Sequence, residues 1–138
     1  MYLTVLRLFP SSADKEALWK FLEGIVGPTR VQPGCLGCRL ASESEPDTFL
    51  FLETWESTAD LLRRLQSGEF GKVLEAMESS ARAPEFSVYE LINPRGLELI
   101  ERVRTAERHE AGVLQSAPER NERRILDHSR DTPEKDLR

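Results

Sequence analysis

Histidine is absent from the first 108 residues of this 138-residue chain, asparagine from the first 92, and cysteine occurs only twice. Zinc needs four ligands, so Cys35 and Cys38 would require two more where no imidazole is near in sequence. No glycine-rich phosphate loop and no nucleophile elbow is present, which removes the common nucleotide and acyl-transfer motifs. No apolar run is long enough to span a bilayer. The segment Tyr2 to Phe9 is too short for a signal h-region, is interrupted by Arg7 and lacks a cleavage pattern, so a soluble cytoplasmic protein is expected. Excess positive charge is also missing. Residues 1–93 hold nine basic against fourteen acidic side chains, and the remaining charges cancel to leave a net charge of −5. Neither a nucleic acid nor a membrane surface is therefore an expected partner.

What is present fits one domain with a tail, since a hydrophobic share of 39% can fill a modest core. Tyr2 to Phe9 alternates and reads as a strand closed by Pro10. Ser11-Ser12-Ala13-Asp14 has the form of a helix start, and Ala17, Leu18, Phe21, Leu22 and Ile25 follow at helical spacing until Gly27-Pro28 stops them. Pro33 to Trp55 reads as two strands joined by an acidic hairpin turn. Ser57-Thr58-Ala59-Asp60 repeats the capping pattern before Leu61, Leu62 and Leu65. Ser67-Gly68 breaks that helix, Phe70, Val73, Leu74 and Met77 form another, and Glu85 to Ile92 is a fourth strand. This order is the α+β, ferredoxin-like βαββαβ arrangement with a four-stranded antiparallel sheet. The expected organisation is a domain over residues 1–93, a helical extension over 94–110 and a flexible charged tail over 111–138.

Strand parity separates two sets of side chains. Leu6, Leu8, Leu36, Cys38, Leu40, Leu50, Leu52, Tyr89 and Leu91 are expected beneath the helices. Arg7, Arg39, Phe49, Phe51, Glu53, Trp55, Phe86, Val88 and Glu90 are expected on the opposite face, together with Leu3 and Val5. That face is too apolar for water, and a second copy of the chain is its simplest cover, giving a homodimer through the open sheet face. Arg7, Arg39, Glu53 and Glu90 would then share one enclosed space. They act there either as two Arg–Glu pairs that fix dimer register or, with Trp55, as a set that binds a polar aromatic ligand. In an unbroken strand Cys35 and Cys38 would lie roughly 10 Å apart on opposite faces, which argues against a disulfide. Cys38 is expected in the core and Cys35 as a partly exposed thiol, with thiol redox activity the weakest of the functional readings. Arg63 and Arg64 are expected on a solvated helix face.

Pro33-Gly34-Cys35-Leu36, Glu53-x-Trp55 and Ser67-x-x-Phe70, taken with the element order, resemble the antibiotic biosynthesis monooxygenase domain of dimeric α+β barrel proteins over residues 2–92. The resemblance implies a cofactor-independent oxygenase, with neither cofactor nor metal, acting on a small phenolic or quinol-like aromatic. In it Glu53 or Glu90 would be the catalytic base, Arg7 or Arg39 would hold the anion, and Phe49, Phe51 and Trp55 would stack on the ring. Arg64 stands where many members place a His. Leu74 stands where haem-degrading members place their ligating His, and no Asn lies in the first strand, so that branch is not indicated. The alternative is a non-catalytic dimeric module that binds a small ligand or only assembles.

Overall fold

A computed structural model describes residues 1–44 and 46–108. The tail expected over 111–138 lies outside the described residues. Strand β1 (Tyr2–Leu8) is followed by α1 (Lys15–Arg30), β2 (Cys35–Ser44), β3 (Asp47–Trp55), α2 (Thr58–Gln66), α3 (Phe70–Glu78) and β4 (Glu85–Glu90). The strands form one antiparallel sheet in the order β2-β3-β1-β4, the ferredoxin-like topology. Contacts divide the chain into Met1–Asn93 and a second unit from Pro94. Asn93 adopts a positive φ of 50°, a conformation that asparagine tolerates better than most residues. In the second unit, residues 97–108 form a helix, α4. No helix among the described residues is long and apolar enough to cross a membrane.

Local chemistry fixes the helix ends. The Ser57 hydroxyl accepts from the Asp60 N–H, capping α2, and the Ser67 hydroxyl accepts from the Phe70 N–H as the chain turns into α3. Helix α1 runs on through Pro28 to Arg30 rather than stopping at Gly27-Pro28. Proline's fixed φ is compatible with a helical turn, and near the end of a helix it removes only one backbone bond. The Thr29 hydroxyl donates to the Ile25 carbonyl at 2.8 Å, adding a bond to that final turn.

One face of the sheet lies beneath the helices. Leu6, Leu8, Cys38, Phe49 and Phe51 pack there with Leu18, Leu22 and Ile25 of α1 and Phe70, Val73 and Ala76 of α3. Trp19 meets Phe49 edge-on at 5.1 Å between centroids, and Phe70 meets Phe86 at 6.4 Å.

The strand register corrects the expected division of faces. Leu6 is opposite both Phe51 and Phe86, Leu8 is opposite Phe49, and Thr4 is opposite Glu53, so these residues share the helix-covered face. Phe49, Phe51, Glu53, Trp55, Phe86, Val88 and Glu90 therefore belong with Leu6 rather than with Arg7. Leu50, Leu52 and Tyr89 stand on the open face with Leu3, Val5, Arg7 and Arg39. Strand β3 is apolar on both faces, so composition alone does not choose its orientation, and burial of the larger aromatic set does. In β2 a bulge between Cys35 and Gly37 leaves Leu36 exposed and shifts parity by one residue.

Candidate functional site

The end of β3 delivers Glu53 and Trp55 beneath the sheet's cover, where α2 supplies Arg64. Glu53 and Arg64 are each only 2% exposed. The Arg64 guanidinium donates from Nη2 to Glu53 Oε1 at 2.7 Å and from Nε to both carboxylate oxygens at 3.2 Å. The Trp55 indole N–H donates to Glu53 Oε2 at 3.0 Å. Nη2 also donates to the Thr29 hydroxyl at 3.2 Å, which ties the pair to the last turn of α1. The guanidinium carbon lies 5.5 Å from the Phe70 ring centre and 6.0 Å from that of Trp55. Both Glu53 oxygens are thus occupied, and the charges of the pair cancel in a dry environment where either alone would be costly.

Arginine has five N–H donors. Those on Nε and Nη2 are engaged, whereas among the described residues no side chain or carbonyl accepts from Nη1. Among the described residues no buried side-chain nitrogen or oxygen lacks a partner, so Nη1 keeps some exposure to solvent. Arg64 lines a cavity of about 520 Å³, in which it and Trp55 are the buried residues that form the floor while Gln32, Asp60, Arg63 and Glu69 stand toward the mouth. Asp60 is held by Ser57 and Arg63, and Glu69 Oε2 accepts from the Gln32 amide. Gly34 has a φ of 80° and lies so close to Asp60 that a Cβ would fall 2.1 Å from its carboxyl carbon. Glycine is required there both for backbone conformation and for space.

The residues singled out from the sequence do not converge. Glu53 and Trp55 meet in the buried cluster. Phe51 is core, and Phe49 lines a separate groove beside Trp19 and Lys15. Glu90 is exposed at the end of β4. Arg7 lies on the open face, 3.5 Å from Glu43 and 4.0 Å from Glu85. Arg39, on that same face, is exposed. The four charged residues therefore do not share one space: Glu53 and Glu90 belong to one face, Arg7 and Arg39 to the other. Arg64 is buried rather than solvated, and it is the residue that sequence reasoning missed. Its signal was spacing, because Leu61, Arg64 and Leu65 fall on one helical stripe.

The bulge also moves the cysteines. Cys35 is opposite Trp55 and Cys38 opposite Glu53, so both thiols face the helices. Their Cα atoms are then separated like Trp55 and Glu53, by about 6.6 Å in strand geometry rather than roughly 10 Å. Both are free thiols. Burial, reinforced by the Glu53 carboxylate, pushes the Cys38 thiol up to about 12, and burial also raises Cys35. Both stay protonated at neutral pH, which opposes nucleophilic or redox chemistry. Among the described residues, no three His, Cys, Asp or Glu side chains gather in a way that could hold a metal ion.

The antibiotic biosynthesis monooxygenase family model matches residues 1–76. Among solved structures, Rv0793 from Mycobacterium tuberculosis is 19% identical and superposes with a TM-score of 0.62, covering 69% of this chain and 98% of its own. A candidate antibiotic biosynthesis monooxygenase from Deinococcus radiodurans is 24% identical, with a TM-score of 0.60 and coverage of 70% and 100%. Another from Caulobacter crescentus is 22% identical, with a TM-score of 0.59 and coverage of 67% and 90%. These likenesses show a shared fold. Among curated proteins, none matches this sequence.

Proposed function

Because the chain belongs to the antibiotic biosynthesis monooxygenase family, we propose that it is a cofactor-independent monooxygenase acting on a small phenolic or quinol-like aromatic in the cavity bordered by Trp55 and Arg64. The observation that carries this reading is that Arg64, whose Nη1 has no acceptor among the described residues, lines that cavity together with the Trp55 indole. Activated phenols reduce oxygen only as anions, so the site must favour loss of a proton and stabilise the charge that develops. Arg64 supplies the N–H donor that the sequence reading assigned to Arg7 or Arg39. Trp55 supplies a flat apolar wall. Glu69 brings a carboxylate to the mouth, where the proton can leave. An electron then passes from the bound anion to oxygen; recombination and loss of water place one oxygen atom in the product and the other in water.

In this scheme Glu53 is a positioning residue, since both of its oxygens are already engaged and a paired carboxylate is a weak base. It fixes the plane of the guanidinium and so aims Nη1. The open sheet face, with Leu3, Val5, Leu50 and Leu52, is proposed as the contact with a second copy. Oxygen uptake by the purified protein with anthrones and hydroquinones tests the reaction, and Arg64→Lys, which keeps a positive charge beside Glu53 but lacks Nη1, should abolish it while the circular dichroism of the fold is retained. No uptake with any member of the panel rejects it. The saturation of Glu53 favours one other reading, a binding module without turnover. Saturable quenching of Trp55 fluorescence in a Trp19→Phe background, with no oxygen consumed, would identify that case.

A further inference from the structure

We infer that the cavity selects an uncharged aromatic that enters with a carbonyl oxygen first and keeps a hydroxyl at the mouth. The inference rests on the reading of this cavity as the ligand site and concerns which ligand it prefers. The polar inventory of the floor is unusually one-sided. Both Glu53 oxygens are occupied by Arg64 and Trp55, and the indole N–H is spent on that same carboxylate. What the Trp55 and Arg64 side chains leave for a ligand is Nη1, and the Ser67 hydroxyl, also in the lining, is taken by the Arg64 carbonyl and the Phe70 N–H. A carbonyl oxygen only accepts and satisfies it. A hydroxyl placed there could accept as well, but its own proton would face no free side-chain acceptor on the floor, and a buried unmatched donor weakens binding about tenfold or more. Quinols, which carry a hydroxyl at each end, are therefore disfavoured relative to hydroxyaryl ketones.

Charge argues in the same direction. Arg64 is matched by Glu53 at 2.7 Å, so the floor is a neutral pair rather than a bare cation. A ligand carboxylate would enter as a full, localised negative charge beside the Glu53 carboxylate and be desolvated without a free counter-ion. A neutral aromatic enters uncharged, and the anion formed from it later is spread over its ring, so that a hydrogen bond from Nη1 suffices. The mouth has the opposite character. Glu69 is exposed and its Oε2 accepts from Gln32, while Oε1 has no protein donor among the described residues, so it can accept from a ligand hydroxyl. Such one-sided sites discriminate strongly because the mismatched analogue leaves buried groups unpaired.

Titration of the 138-residue Trp19→Phe chain at pH 6.5, read by Trp55 fluorescence, compares 4-hydroxyacetophenone, hydroquinone and 4-hydroxybenzoate. The ketone should bind roughly tenfold or more tightly than hydroquinone, and the carboxylate weakest of all. Glu69→Ala, an exposed change that leaves the core intact, should weaken 4-hydroxyacetophenone several-fold and leave 4-methoxyacetophenone unchanged. Equal or tighter binding of hydroquinone or 4-hydroxybenzoate overturns the inference, as does an equal effect of Glu69→Ala on both ketones or the absence of any binding. Oxygen uptake is measured separately on the same samples. Arg64-dependent uptake with the binding order reversed would remove the ligand preference and keep the oxygenase reading, whereas the expected order without uptake would do the reverse.

Discussion

The two faces of the sheet carry the same kinds of residue and treat them differently. On the covered face one carboxylate and one guanidinium are almost fully withdrawn from water, joined by hydrogen bonds of 2.7 to 3.2 Å and braced by Trp55 and Thr29. On the open face Arg7 sits 3.5 Å from Glu43 and 4.0 Å from Glu85, with its side chain 41% exposed. The first arrangement is an all-or-nothing network, because removing either partner strands a charge in the core. The second is a loose set of solvated ions. Charge near a strand therefore says little until its face is known, and the face determines whether the charge can shape a binding site.

The largest effects should come from breaking the buried pair on one side only. Glu53→Gln leaves the Arg64 guanidinium buried without its counter-charge and should destabilise the fold by about 3–5 kcal/mol, read from urea midpoints. Arg64→Leu should do the same by stranding the carboxylate. Combining Arg64→Leu with Glu53→Met removes both charges and should recover most of that loss while leaving ligand binding absent. If the double variant were as unstable as the single ones, the network would matter for packing rather than for charge.

Gly34→Ala ranks next. It combines a positive φ with a Cβ placed against Asp60, so a loss of about 2–3 kcal/mol is expected, together with displacement of the cavity mouth. Replacing Asp60 by Gly in the same chain should return part of the stability if the steric contact dominates, and none if the backbone conformation does.

Much of this frame was readable in the sequence. Element order, the Ser57 cap and the core residues Leu6, Leu8 and Cys38 follow from periodicity and turn chemistry. The face of β3 did not, because Phe49, Phe51 and Trp55 alternate with Leu50 and Leu52, and either set could have been buried. Only pairing with β1 resolves that choice, and pairing is a long-range property. The bulge at Leu36 has no local signature beyond the neighbouring Gly37, yet it reverses the relation of Cys35 to Cys38. Arg64 was hidden for a different reason: its type suggests solvent, while its spacing from Leu61 and Leu65 points to the core. Where type and period disagree in a helix, a functional or network role is worth testing first.

The covered face should also respond to alkaline pH. The folded-state value of Cys38 lies at about 12, above the 9.0 of an unperturbed thiol, so folding favours the protonated form. Its contribution to stability is whole below about pH 9 and declines as pH rises toward 12, because the unfolded chain then ionises and the folded chain does not. Urea midpoints measured between pH 8 and pH 11 should fall more steeply for the natural chain than for Cys38→Ala. Parallel slopes would mean that the thiol does not feel its burial.

The smallest effect belongs to Arg7, and it is the sharpest control for the comparison. Arg7→Gln removes a charge of the same type as Arg64, from a strand of the same sheet, with two carboxylates within 4.0 Å. Screening and the entropy of holding long side chains limit exposed pairs to about 0–1 kcal/mol, so the stability of the monomeric fold should hardly change. Salt separates the two cases further: 0.5 M sodium chloride should erase any difference between Arg7→Gln and the natural chain, since its Debye length of about 4 Å is comparable to these separations. The same salt should leave the penalty of Glu53→Gln intact, because ions do not reach a carboxylate that is 2% exposed. A large Arg7→Gln effect that persists in salt would mean that the open face is as dry as the covered one, which in this sheet requires a second copy seated on it.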